Sequence, residues 1–265
     1  MKGIDKARFI TLNLLVFTLI LAIVVGQYKQ KTEKVANAEV ASTYLAVSTE
    51  RQEKQRIVTN QLHETINRDL PGFIVWDSAA SGAVGNSVTY PLILKELISQ
   101  HVYNDIPVEV QDTSNESNQE YKNYIPIIFL GQSDNFETKE QMIEHIKLIV
   151  NNYNSHEKYL VLGLTSGTAK SRMQLESYMA SAFGERYVNL RELVSTNGLK
   201  IAKLNPTYDD IAAMGVGSVP PSLLSKKENF NEKGNEVIGK IIYDRIQKLG
   251  YFDSVQQLVK ELESL

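Results

Sequence analysis

From residue 72 onward, short, mostly apolar runs alternate with stretches in which apolar residues recur every three or four positions. The runs at 73–76, 108–110, 125–130 (IPIIFL), 159–164 (YLVLGL) and 187–189 read as strands. IPIIFL and YLVLGL are apolar enough for strands covered on both faces of a parallel sheet. Helical spacing predicts helices over 90–100 (Leu92, Ile93, Leu97, Ile98), 139–152 (Met142, Ile143, Ile146 and Ile149 or Val150), 175–183 and 234–249 (Val237, Ile241, Ile242, Ile246). Residues 253–265 read as a further short amphipathic helix. Strand and helix in alternation predict a three-layer α/β/α sandwich with a parallel sheet over 71–252. In such sheets the chemistry lies beyond the strands' carboxyl ends, which here present Asp77 and Ser78, residues 131–135 and residues 165–167.

The first 70 residues follow another pattern. Residues 9–26, FITLNLLVFTLILAIVVG, carry no charge and are about long enough to span a bilayer. Lys2, Lys6 and Arg8 lie in the short tail 1–8 before them. This predicts an uncleaved single-pass anchor with the N-terminus inside and the domain outside the cell membrane; a cleaved signal peptide is the competing reading. Residues 27–70 contain neither Gly nor Pro, and between 29 and 70 seven basic side chains nearly balance six acidic ones. Ile57, Val58, Leu62, Ile66 and Leu70 recur at helical spacing. The expectation is a helical stalk, either a solvated spacer or a dimerising coiled coil, ended by Pro71-Gly72. A helix that packs back on the domain is the third reading.

Composition narrows the chemistry. The net charge of -3 supplies no basic field for nucleic acid, and the absence of cysteine removes disulfides and thiolate metal sites. No cofactor or metal motif is present. GLTSGTAKSR at 163–172 lacks the spacing of a P-loop and reads as an ordinary rim loop or, as a lesser alternative, a holder for an anion or sugar acid. VWDSAASG at 75–82 presents Ser78 at the end of a strand, as a nucleophile turn would.

Three separated blocks, WDSAASG (76–82), LGQSDN (130–135) and SVPPSLLSKKENFNEKG (218–234), resemble those of the SGNH or GDSL-type hydrolases. The resemblance implies their flavodoxin-like sandwich and assigns Ser78 to the nucleophile position, with Asp77 supporting the loop. Gly131 and Asp134 match the third of the family's blocks. Ser133 stands where the family has an oxyanion-hole Asn, and Trp76 where it has Gly. The family's Asp and His partners fall on Lys226 and Asn229, and the second block, QDTSNESN at 111–118, lacks its glycine. None of the four histidines, His63, His101, His145 or His156, lies in the closing loop. A serine without a base is a weak nucleophile, and losing one oxyanion donor alone costs about 2.7–4 kcal/mol of transition-state stabilisation. The resemblance therefore implies a degenerate, non-catalytic member that binds or scaffolds in cell-envelope or exopolysaccharide assembly. Its implied partners are a membrane, a glycan or polysaccharide-assembly protein, and a second copy through the stalk. The alternative is an active acetylesterase using Ser78 with an unconventional base such as Lys226.

Overall fold

The structure, a computed structural model, describes residues 4–77, 89–111, 119–129, 136, 138–225 and 229–265, with side chains in the first helix described at residue 18, at 21–35, at 39–40 and from 42 onward. The chain divides into two compact units, Met1–Ile57 and Val58–Ser264. One helix, α1 (Ile4–Asp69), runs through that boundary. Strands and helices then alternate: β1 (Phe73–Asp77), α2 (Tyr90–His101), β2 (Val108–Gln111), β3 (Ile125–Phe129), α3 (Lys139–Asn151), β4 (Leu160–Leu162), α4 (Ala169–Phe183), β5 (Tyr187–Val188), α5 (Leu190–Ala202), α6 (Tyr208–Gly215), α7 (Glu232–Lys248) and α8 (Asp253–Ser264).

In the first unit α1 exposes most of its described apolar side chains, among them Val24, Val25, Tyr28 and Tyr44. Ion pairs at helical spacing, Glu50 with Lys54 and Glu53 with Arg56, lie on its surface. The expected single-pass anchor at 9–26 is corrected here. Among the described residues no helix is long and apolar enough to cross a membrane. The apolar run with described side chains, Leu21–Gly26 by sequence, gives way at Gln27 to a polar stretch with Lys29, Lys31 and Lys34. The topology with the domain outside the membrane falls with the anchor.

The expectation of a separate stalk over 27–70 is corrected as well. Val58, Leu62, Ile66 and Leu70 belong to the core of the second unit, with Leu62 and Leu70 fully buried. These are four of the five positions in the stronger part of the pattern that suggested a dimer seam. They are occupied within their own domain, so the coiled-coil dimer loses its basis. Pro71-Gly72 does end the helix, and the Lys158 ammonium donates to the Asp69 carbonyl at its terminus (2.8 Å). Gly72 has φ 151°, and a Cβ there would lie 2.7 Å from Pro107 Cγ and 2.8 Å from the Tyr124 ring. Only glycine lets the chain enter β1 between these two side chains.

The sheet has the order β2-β1-β3-β4-β5, with every pair parallel. All five residues of β1 and of β3 are buried, as central parallel strands require. Alternate residues supply two cores. Phe73, Val75, Ile125 and Ile127 meet the end of α1 together with α2, α5, α7 and α8. Ile74, Trp76 and Ile128 face α3 and α4. The faces follow from handedness. The crossover from β1 to β2 leads one way along the sheet with α2 on the first face. Those from β3 to β4 and from β4 to β5 lead the other way with α3 and α4 on the second, as right-handed connections demand. The result is a generic α/β sandwich around a five-stranded parallel sheet.

Two helices escaped the apolar pattern. α5 is capped by Asn189, whose side chain accepts from the Glu192 N–H, and buries Leu190, Val194 and Leu199. α6 has a capping box of Thr207 and Asp210. α4 begins at Ala169, six residues before the predicted start, behind the Thr168–Ser171 capping box.

Candidate functional site at the carboxyl edge of the sheet

Crossovers lead in opposite directions from β1 and β3, so the space beyond their carboxyl ends is a topological switch point. At the end of β1 stands Asp77, 2% exposed. The Tyr90 hydroxyl donates to its Oδ2 at 2.8 Å, from the first turn of α2. Pro91 sits at the start of that helix, where a missing N–H is tolerated. The Tyr90 N–H donates to Asn235 Oδ1 of α7 (3.1 Å), which ties the two helices together. Gly239 allows their approach: a Cβ there would stand 2.7 Å from Ile93 Cγ2 and 3.2 Å from the Tyr90 carbonyl oxygen. The Tyr90 ring meets Phe129, the last residue of β3, edge to face at 6.4 Å. Burial, then the charge of Asp77 and the hydrogen bond to it, push the Tyr90 phenol well above its ordinary range. The phenol therefore stays protonated and remains a donor. Gln111 at the end of β2 and Thr165 beyond β4 are also buried polar residues at carboxyl ends.

Two positions read from the sequence thus acquire a structural role. Asp77 is a buried acceptor for Tyr90. Trp76, one residue earlier, points to the opposite core, where its indole N–H donates to the Tyr153 hydroxyl (2.6 Å) and the rings meet edge to face. Burial raises the Tyr153 phenol to about 12, with the Trp76 bond opposing the rise. The large ring opposite the family's glycine is packing for the face covered by α3 and α4. Asn229 is exposed, and its carbonyl accepts from the Ser225 N–H (2.6 Å) beside the bridge of Leu224 with Phe230. Ser78, Gly131, Ser133, Asp134 and Lys226 lie outside the described residues. All four histidines are exposed; His63, His101 and His145 lie against the rings of Tyr103, Tyr243 and Phe136. Among the described residues there is no group of acidic or histidine side chains able to hold a metal ion.

A second polar network lies at the margin of the sheet, beside β5. Arg191 of α5 is buried and forms a fork with Glu176 of α4, its Nη2 donating to Oε2 at 2.6 Å. Its Nη1 donates to the Gly217 carbonyl, and Asn189 adds a donor to Glu176 (3.0 Å). Burial raises the Glu176 carboxyl, but the Arg191 and Asn189 donors outweigh it and hold the group below its ordinary range. Gly217 has φ 68°, and a Cβ there would be 2.7 Å from Ala169 Cβ. Close by in sequence, the fully buried Asp210 accepts from both the N–H and the hydroxyl of Thr207 and of Ser222, at 2.7–2.9 Å. Burial opposes ionisation, yet the four donors bring its carboxyl down to about 2. The Thr207-x-x-Asp210 spacing is a capping-box signal visible in the sequence. Glu176 and Arg191 lie fifteen residues apart on two helices, so no local pattern links them.

No protein-family model matches the chain, and no curated protein or solved structure does either. Membership of the SGNH or GDSL-type hydrolases is corrected accordingly: what stands is an α/β fold with a parallel sheet. The described parts of the first and last blocks have packing reasons of their own, in the Trp76–Tyr153 bond, the Asp77–Tyr90 bond and the cap that Asn231 places on Gly234 N–H, while LGQSDN lies outside the described residues. The readings that rested on the resemblance fall with it. These are the envelope or exopolysaccharide scaffold, the acetylesterase and the membrane and glycan partners.

Proposed function

We propose that the unit Val58–Ser264 binds a small polar ligand at the carboxyl edge of its sheet, between β1 and β3. The observation that carries this reading is the reversal of crossover direction between those strands. It rests on a rule about open α/β sheets, and the chemistry of the edge supports it. A carboxylate is held buried there by a phenol that stays protonated, where an apolar pair would be cheaper to bury. Ser78 follows Asp77 directly, and Gly131, Ser133 and Asp134 follow β3 within five residues. On chain order alone we include them in the proposed site. Both segments, SAASGAVGNSV after β1 and LGQSDN after β3, are rich in small and hydrogen-bonding residues, which suits a ligand recognised through hydroxyls, amides or backbone N–H groups. No covalent step is assigned to Ser78.

Hydrogen exchange on the full chain, run against a library of polar metabolites, tests this reading. Expected is at least one compound that slows exchange in peptides covering 73–91 and 125–138 together. A library that stabilises nothing, or whose hits protect only other faces, removes the proposal.

A further inference from the structure

α5 and α7 lie side by side on the first face of the sheet, and between them runs an open groove of about 510 Å³. Its rim is cationic: Lys200 and Lys203 from α5 and its C-cap, Lys240, Arg245 and Lys248 from α7, against the single anion Asp244. The chain as a whole carries more acidic than basic residues, so this is a local reversal of sign. None of the five cations has an ion pair among the described residues. Arg245 is held in place by the Glu185 carbonyl, to which its Nη1 donates at 2.7 Å. The floor is apolar, made by the buried Ile241 and the half-buried Leu193 and Ile201. On α5 the lining residues are 193, 197, 200 and 201; on α7 they are 240, 241, 244, 245 and 248. Each set is one helical face, and each covers about 12 Å, or two turns.

We propose that this groove docks an acidic amphipathic helix of a partner protein. Such a helix lays its apolar stripe on Leu193, Ile201 and Ile241 and sets carboxylates against the lysines on both sides. The apolar floor separates this occupant from the other polyanions. A phosphate backbone has no apolar stripe to lay there. Lys203 adds a second argument. It sits at the C-cap of α5 with φ 56°, the one non-glycine residue with positive φ among the described residues. Glycine is the usual solution at such a helix end. A lysine here favours the helix dipole and also places a fifth charge on the groove.

The test uses fluorescence anisotropy with the full chain. The probe is a labelled helical peptide of about 14 residues, with Leu at i, i+4, i+7 and i+11 and Glu on both flanks. Expected is saturable binding that weakens as salt rises through the range where the Debye length falls below about 10 Å. A control peptide with Lys for every Glu is expected to bind at least about tenfold less tightly, and the double variant K200E/K240E to lose at least about tenfold in affinity. Lys203→Gly separates binding from folding: it should raise the thermal midpoint while weakening the peptide by about threefold. Equal binding of the acidic and basic peptides, unchanged binding by K200E/K240E, or preference for pyrophosphate or a single-stranded oligonucleotide over the peptide overturns the proposal. Because the groove lies on a helical face and the polar-ligand site at the sheet's edge, either can fail alone.

Discussion

Carboxylates are withdrawn from solvent at the centre of the sheet and in the helices beyond its margin, Asp77 and Asp210 fully and Glu176 in part, and they are held differently. At the margin every carboxylate is enclosed by donors from neighbouring elements. Arg191 and Asn189 donate to Glu176, with Arg191 also donating to the Gly217 carbonyl, and Thr207 and Ser222 give Asp210 four donors. At the centre, Asp77 ends β1 and takes a phenolic hydrogen bond from α2, whose own position is set by Asn235 and Gly239 of α7. The marginal networks join α4, α5, α6 and the 220–224 segment and have the form of struts. The central one fixes the exit of the strand beside which the ligand site is proposed. Burial of charge by itself therefore does not mark a site; what the charge is attached to does.

The largest expected effect is at the margin. Arg191→Met removes the buried partner of a part-buried pair and should cost about 3 kcal/mol, the lower end for such a break, because Glu176 is left without its charge partner. The double variant with Glu176→Leu should recover much of that loss. Trp76 is the only tryptophan and is buried in the second unit, so its fluorescence during urea unfolding reports this unit directly. A loss below about 1 kcal/mol in the single variant would mean that the fork is not a strut.

Asp210 offers the same contrast as a pH dependence. Its folded carboxyl lies at about 2, below its ordinary value of 3.8. A depressed pKa stabilises the fold above the ordinary value, and the contribution is lost as pH falls through the folded one. About 2 kcal/mol should disappear between roughly pH 4 and pH 2. Asp210→Asn should lower stability by a similar amount at neutral pH and flatten this limb of the curve. The limb is read by thermal unfolding in steps of pH; an unchanged slope in the variant would place the acid dependence elsewhere, with Glu176 the next group of the same sign.

How much of this was legible follows from the range of each interaction. The strands at the centre announce themselves because burial on both faces leaves an apolar run, as in IPIIF. α3 and α7 do so because one face is buried. α5 was missed because its buried face includes Arg191, Ser195 and Gly198, which no apolar period registers. Leu62 and Leu70 showed that α1 has an apolar face, but periodicity cannot say whether the partner is a second helix or the chain's own sheet; packing decides that. Asp77 was visible as a strand-end acid. Its partner Tyr90 is thirteen residues on, and Asn235 is 145 residues beyond Tyr90, so the sequence offered no sign of the arrangement. The basic groove combines two helix faces about forty residues apart, and an overall net charge of -3 conceals it.

The smallest effect on stability is expected at the centre, and it sharpens the comparison most. Tyr90→Phe removes the hydroxyl while keeping the ring against Phe129. A hydrogen bond to a charged acceptor is worth about 1.5–3 kcal/mol, and the loss should fall at the lower end because Asp77 retains other contacts. If the centre were only another strut, that modest loss would be the whole consequence. If Tyr90 and Asp77 hold the edge of the sheet for a ligand, the variant should also lose the exchange protection that a bound metabolite gives to residues 73–91, while keeping a cooperative unfolding transition. A variant that unfolds about 1.5 kcal/mol sooner but retains full ligand protection would assign Asp77 to the scaffold. The two kinds of buried carboxylate would then differ in construction but not in purpose.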